Sequence, residues 1–208
     1  MSRAMMVGCA VLAGLVVLAA VILGMTAFGT YNALITAEQA VESQWAQVEN
    51  VYQRRADLVP NLVATVRGAT EFERETLTAV VEARSRVGQI TASPELLENP
   101  QAFARFTEAQ DQLSGALSRL LVVVERYPEL RSVPAFQDLM VQLEGTENRI
   151  SVERRAFNET ARDYNTRVRR VPAAWYISLL GWDFDPKPYF ESEPGAEQAP
   201  QVDFGTPG

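Results

Sequence analysis

The sequence contains no histidine and a single cysteine, Cys9. The first absence removes the usual general base, the usual proton shuttle and the commonest metal ligand. It rules out serine triads built on His and the Glu-x-x-His ligand pattern of di-iron helical bundles. There is also no phosphate-binding loop and no Gly-x-Gly-x-x-Gly. A lone cysteine excludes a disulfide framework and a cysteine zinc site. An enzyme would have to work with carboxylates, Arg, Tyr or Ser alone, so the content reads as non-enzymatic, with neither cofactor nor metal. Positive charge is short as well: 19 Lys and Arg face 26 Asp and Glu, for a net −7. With no basic surplus to neutralise phosphates, nucleic acid is not an expected partner. Residues 191–208 hold four acids and no base, so −4 of the net charge lies there.

Charge of either sign is missing between Arg3 and Glu38, and residues 4–29 are almost wholly apolar. A helix of about 20–25 residues rises far enough to cross a hydrocarbon core of about 30 Å, and it satisfies its own backbone in lipid. The expectation is a single transmembrane anchor over 4–29, with the lipid bilayer as first partner. A cleaved signal peptide, ending near Ala27-Phe28-Gly29, competes with it, but such peptides have apolar cores of about 7–15 residues. A lipoprotein signal ending at Cys9 would leave only five residues after Arg3. Arg3 and the amino terminus are the only positive groups before the span. Residues 30–49 carry Glu38, Glu42 and Glu49 with no base. The positive-inside rule then expects a single-pass protein of the bacterial inner membrane with the domain over 30–190 on the extracytoplasmic side.

Beyond the anchor, helical periodicity dominates. Leu34, Val41, Trp45, Val48 and Tyr52 form a one-sided apolar stripe over 31–55. Pro60 suggests a new helix start, so a second helix is expected from about 59 to 90, with Leu62, Val63, Val66, Leu77, Val80, Val81 and Val87 inside. Ser93-Pro94 and Asn99-Pro100 bracket a loop. A third helix is expected over 101–126, bearing Phe103, Phe106, Leu113, Leu117, Leu120, Leu121 and Val124. A fourth is expected over 134–170, where Phe136, Leu143, Ile150, Phe157 and Tyr164 recur at intervals of seven, a coiled-coil-like repeat. No strand pattern competes. The fold class is all-α: a single transmembrane helix followed by an antiparallel up-and-down four-helix bundle of long helices over 30–190, then a disordered acidic tail over 191–208. A single long helix kinked at Pro60 and an elongated three-helix rod form the alternative.

Up-and-down topology returns the end of the fourth helix to the membrane. Arg167, Arg169, Arg170, Trp175, Tyr176 and Trp182 cluster there, a composition suited to the bilayer interface. Covering the open end of the bundle is the competing role. A second group of polar residues sits within the apolar pattern: Arg54, Arg55, Asp57, Asn61, Glu147, Asn148, Arg149 and Asn158, with Asn165 seven beyond Asn158. Buried amides and charges need partners and set the register between helices. The same residues, Asn158 and Asn165 apart, could instead form a ligand or partner patch. Glu71, Glu73 and Glu75 do not share a helix face, so the acidic run reads as a solvated surface.

Several strings resemble the LemA family: Tyr52-Gln53-Arg54-Arg55-x-Asp57-Leu58-Val59-Pro60-Asn61-Leu62-Val63, Glu125-x-Tyr127-Pro128 and Leu143-Glu144-Gly145-Thr146-Glu147-Asn148-Arg149-Ile150. Arg154-Arg155-x-Phe157-Asn158 is similar too, with Phe157 where the family often has Tyr. The resemblance covers about 30–190 and implies a bacterial, single-span, antiparallel four-helix protein, with no catalytic residues to carry over. The function expected is a membrane-anchored scaffold or interaction module that binds a membrane-protein partner or itself. The alternative is a ligand-sensing module built on the polar site at Arg54, Arg55, Asn148 and Arg149.

Overall fold

A computed structural model describes residues 3–68 and 73–191 of the chain, with side chains from residue 6 onward. The described residues are helical or irregular, with no strand among them. The helices are α1 (Arg3–Arg67), α2 (Arg74–Gly88), α3 (Pro100–Val124), α4 (Pro128–Arg131), α5 (Pro134–Arg169) and α6 (Ala173–Leu180). A 3-10 segment, Pro94–Glu98, precedes α3.

α1 spans 65 residues, about 97 Å at 1.5 Å per residue. Its apolar N-terminal portion is the one described segment long and apolar enough to cross a membrane, and side chains 6–26 are all exposed. Val11, Leu15, Leu18, Ile22 and Met25 are all more than half exposed, as side chains facing lipid would be. The helix then continues without a break into the packed part of the molecule, where Leu34, Val41, Trp45 and Val48 are essentially inaccessible.

The expected helix start at 59 is not there: Pro60 lies inside α1. Proline removes one backbone bond and crowds the preceding turn. Here it is exposed, while Val59, Leu62, Val63 and Val66 beside it are buried, and that packing holds the helix through the proline. α1 instead ends at Arg67, with Gly68 closing the turn through its N–H to Thr65 O at 3.3 Å. The expected 59–90 helix is therefore divided between the end of α1 and α2, which has only 15 residues. Val81, expected inside, is 41% exposed next to fully buried Val80. The loop signals before α3 work as expected. The Asn99 side chain accepts bonds from Gln101 N and Ala102 N at 3.1 Å, and Pro100 occupies the first turn.

α1 and α5 pack along their length with opposite sense, since Gln44 meets Glu153 and Arg54 meets Gln142. α2 and α3 also run oppositely, with Glu73 paired to Arg126 and Arg86 to Gln112. Arg84 of α2 reaches the Ala56 carbonyl of α1 at 3.0 Å. The repeat on α5 is a core seam: Phe136, Leu143, Ile150, Phe157 and Tyr164 are all buried. After α6, Gly181 takes the left-handed conformation (φ 66°) that ends the helix. Residues 182–191 then return along α5 as an extended strap.

Two apolar clusters form the interior. One, near the anchor, gathers Leu34, Trp45, Tyr52, Phe103, Phe106, Ile150, Phe157 and Phe190. The other, at the far end, gathers Val59, Leu62, Val80, Leu113, Leu120 and Leu143. The tail beyond Glu191 lies outside the described residues.

Candidate functional site

Between the two clusters lies a polar layer centred on Arg55, whose side chain is 1% exposed. Arg55 occupies a slot in the α1 seam between Tyr52 and Val59, where a hydrophobic residue would continue the stripe. Gln110 takes the equivalent slot on α3, between Phe106 and Leu113, and is 2% exposed. The Arg55 guanidinium donates to the Gln110 carbonyl at 3.1 Å, to the Gln110 side chain, to Ser114 Oγ, and to Glu147 Oε1 at 3.0 Å. Its Nε lacks a partner among the described residues. The Tyr52 ring lies 5.1 Å from the guanidinium carbon. A planar fork meeting several acceptors suits Arg in a partly dry layer.

A second cation adjoins this layer. Arg154 of α5 donates to Tyr52 Oη and, at 2.8 Å, to Asp111 of α3, and stands 5.0 Å from the Phe190 ring centre. Burial pushes the Tyr52 phenol above its ordinary pKa, with Arg154 opposing.

Of the sequence-derived polar patch, the structure brings together Arg55 and Glu147 only. Arg54, Asp57, Asn61, Asn148 and Arg149 are exposed. Arg54 makes a 3.4 Å contact with Gln142, and Asp57 accepts from its helical neighbour Gln53. Spacing along one helix does not fix which side faces its neighbour, so residues adjacent in the motif point to different surroundings. Gln110, Ser114, Asp111 and Arg154 were missing from the expected set. Gln110 was findable, because it interrupts the 4-3 apolar spacing of Phe106, Leu113, Leu117, Leu120 and Val124. A groove of ≈ 560 Å³ flanks the layer, lined among others by Glu49, Tyr52, Gln53, Arg84 and Gln110. In the acidic run, Glu71 lies outside the described residues and Glu73 is paired with Arg126.

Asn158 and Asn165 act together, though not within the Arg55 layer. Each grips the returning strap with both ends of its amide. Asn158 donates to Phe190 O at 2.8 Å and accepts from Phe190 N at 2.9 Å. Asn165 donates to Lys187 O and accepts from Lys187 N, both at 2.8 Å. Lys187, the one lysine of the sequence, is 8% exposed, pairs with Glu38 at 2.9 Å and stands 5.7 Å from the Tyr164 ring. Burial, followed by the charges of Glu38 and Asp185, raises the Tyr164 pKa.

At the anchor end, the residues of the aromatic segment differ in burial. Trp182 packs 5.1 Å from the Tyr31 ring and, with Ile177 and Ala173, covers the open end of the core. Trp175 (68% exposed), Leu179 (80%) and Leu180 (53%) cover nothing. Tyr176 ties α6 to the span itself: its hydroxyl is 2.7 Å from Thr26 Oγ1 and donates to Leu23 O at 3.2 Å. Arg167, Arg169 and Arg170 are exposed, and none belongs to the four ion pairs formed among the described residues.

The model of the LemA family matches residues 44–204, a span that starts later and ends later than the resemblance read from motifs. The chain is 26% identical over 201 residues to "Magnetosome protein MamQ" of Magnetospirillum gryphiswaldense, covering 86% of this chain and 73% of that protein. It is 25% identical over 183 residues to "Magnetosome protein MamQ 2" and "Magnetosome protein MamQ 1" of Paramagnetospirillum magneticum, covering 80% of this chain and 66% of each.

Proposed function

This chain belongs to the LemA family, and on that premise we propose that it is a non-enzymatic, membrane-tethered interaction module of the bacterial envelope. Its four principal helices, α1, α2, α3 and α5, would form an up-and-down bundle that presents long helix faces to a membrane-protein partner or to a second copy. One observation carries the reading: α1 runs from a fully exposed apolar segment into the packed core without interruption. A rigid rod of this kind fixes the height and direction of the bundle relative to the bilayer, which is what a scaffold needs and a flexible linker cannot provide. The polar layer supports it too, because Arg55 is occupied by the protein's own acceptors.

In-cell cross-linking from position 175 and from the exposed face of α1 tests the proposal. A defined membrane-protein partner or a specific homo-oligomer is expected. Recovery of the full chain in the soluble fraction after lysis, or mature chains beginning at Thr30, would sink it. The bundle lies on the extracytoplasmic side in this reading, so protease should reach it in spheroplasts but not in intact cells. A ligand-sensing role is the second reading. It rests on the ≈ 560 Å³ groove beside Tyr52 and Gln110, and it expects a small polar molecule to raise the melting temperature of the wild type.

A further inference from the structure

The junction of α1 with the α5–α6 corner contains a second opening, a cleft of ≈ 400 Å³, a size within the usual range for ligand sites. Thr26, Gly29, Thr30 and Ala33 of α1 form one wall; Val171, Pro172 and Ala173 form the other, and Arg167 and Arg170 complete the lining. A side chain begun at Gly29 would meet nothing within 4 Å, so the absence of a Cβ there widens the cleft.

Its depth follows from helix geometry. Thr26 stands 23 residues beyond Arg3, or about 35 Å, whereas the hydrocarbon core is about 30 Å thick. Thr26 therefore lies at headgroup level when Arg3 sits at the opposite face of the core, and Gly29 and Ala33 stand about 5 and about 11 Å further out. The cleft is continuous with the lipid-exposed surface of α1, where Met25 and Phe28 are 72% and 69% exposed. Ala173 opens α6, on which Trp175 and Leu179 are uncovered. Arg167 and Arg170 line it, and no described carboxylate is in ion-pair range of either. Asp163, one turn earlier on α5, and Asp183 and Asp185 of the strap are the nearest acids in sequence.

We propose that this cleft binds one anionic phospholipid, its phosphate held by Arg167 and Arg170 beside Gly29 and an acyl chain descending past Thr26 and Met25 into the bilayer. The inference rests on the tethered reading above and adds a headgroup preference to it. A lipid bearing its own cation is disfavoured, because its ammonium would sit beside two guanidiniums that belong to no ion pair among the described residues. Arg at a helix C-terminus also complements the helix dipole, but that role does not distinguish one lipid from another.

The test uses the full chain in nanodiscs of equal phosphatidylglycerol and phosphatidylcholine, released for native mass spectrometry. One phosphatidylglycerol should be retained per chain, favoured about thirtyfold over phosphatidylcholine, the order expected for two basic groups at a membrane surface. R167Q/R170Q should lose the preference. G29L, which fills the cleft without changing charge, should lose the retained lipid. The distal variant R149Q/R155Q, with the same change in charge, should keep both. Equal retention of the two lipids by the wild type, or an undiminished preference in R167Q/R170Q, overturns the proposal. Chain that stays embedded without a preference defeats the lipid site alone, whereas chain that washes out of the nanodisc defeats the tethered reading itself.

Discussion

Arg55 shows what one residue settles. It is buried to 1% exposure in a seam otherwise built from Leu, Val, Trp and Tyr, and it holds α1 against α3 and α5 through Gln110, Ser114 and Glu147. Truncation would leave a cavity and strand buried acceptors, so R55A should cost about 3 kcal/mol in chemical or thermal unfolding. Asn148 shares the same motif but is exposed, and N148A should stay within about 0.5 kcal/mol of wild type. A surviving melting temperature in R55A, together with lost partner capture, would move Arg55 from structure to recognition. Two phenols make the opposite end of the pH scale informative. Tyr52 and Tyr164 have folded-state pKa values raised above 10.0, first by burial. An unfolded chain ionises them near 10 while the folded chain holds them neutral. Their contribution is thus complete below pH 10 and is lost as pH rises beyond it. The unfolding midpoint should fall steeply above pH 10, and Y164F should soften that fall.

At the scale of elements, the strap over 182–191 has the least secondary structure and some of the most specific bonds. It contributes Phe184, Lys187 and Phe190 to the interior, yet its backbone has no sheet or helix to bond to. Asn158 and Asn165, two turns apart on α5, supply that bonding from side chains. N165A leaves the Lys187 N–H and C=O without those bonds in a buried setting, at a cost of about 1–3 kcal/mol. Faster amide exchange at Lys187 and limited proteolysis within the strap should accompany the loss. The spacing of seven between the two asparagines is visible in the sequence. What they hold is not, because the strap residues they bond lie 22 and 32 positions away and the strap has no periodicity of its own. Pro60 makes the converse point. It is a strong local signal for a boundary, and burial of Val59, Leu62, Val63 and Val66 around it overrides that signal.

For the whole molecule, the distinctive quantity is the length of α1, since about 97 Å of continuous helix exceeds any bilayer by about 50 Å. α6 docks back onto that rod at Leu23 and Thr26, so anchor and core are joined twice, by the helix and by the corner. Trp175 should then sit at the lipid surface. In a variant with Trp45 and Trp182 changed to Phe, its fluorescence should be quenched by brominated lipids, more by labels near the headgroup than by labels at the acyl terminus. Quenching no stronger than in lipid-free detergent would place α6 in water and leave the corner as a cap on the core.

The sequence alone carried the anchor, the helical class, the buried seams of α1, α3 and α5, and the absence of histidine-based chemistry. Those properties reside in composition and in spacing along single helices, which every helical segment expresses locally. Tertiary structure decided the rest: the passage of α1 through Pro60, the choice of Arg55 and Glu147 from a longer polar motif, the role of Gln110, and the strap held by two asparagines. Each depends on which faces meet across helices, and that is settled by the burial of whole surfaces rather than by any residue's own preference.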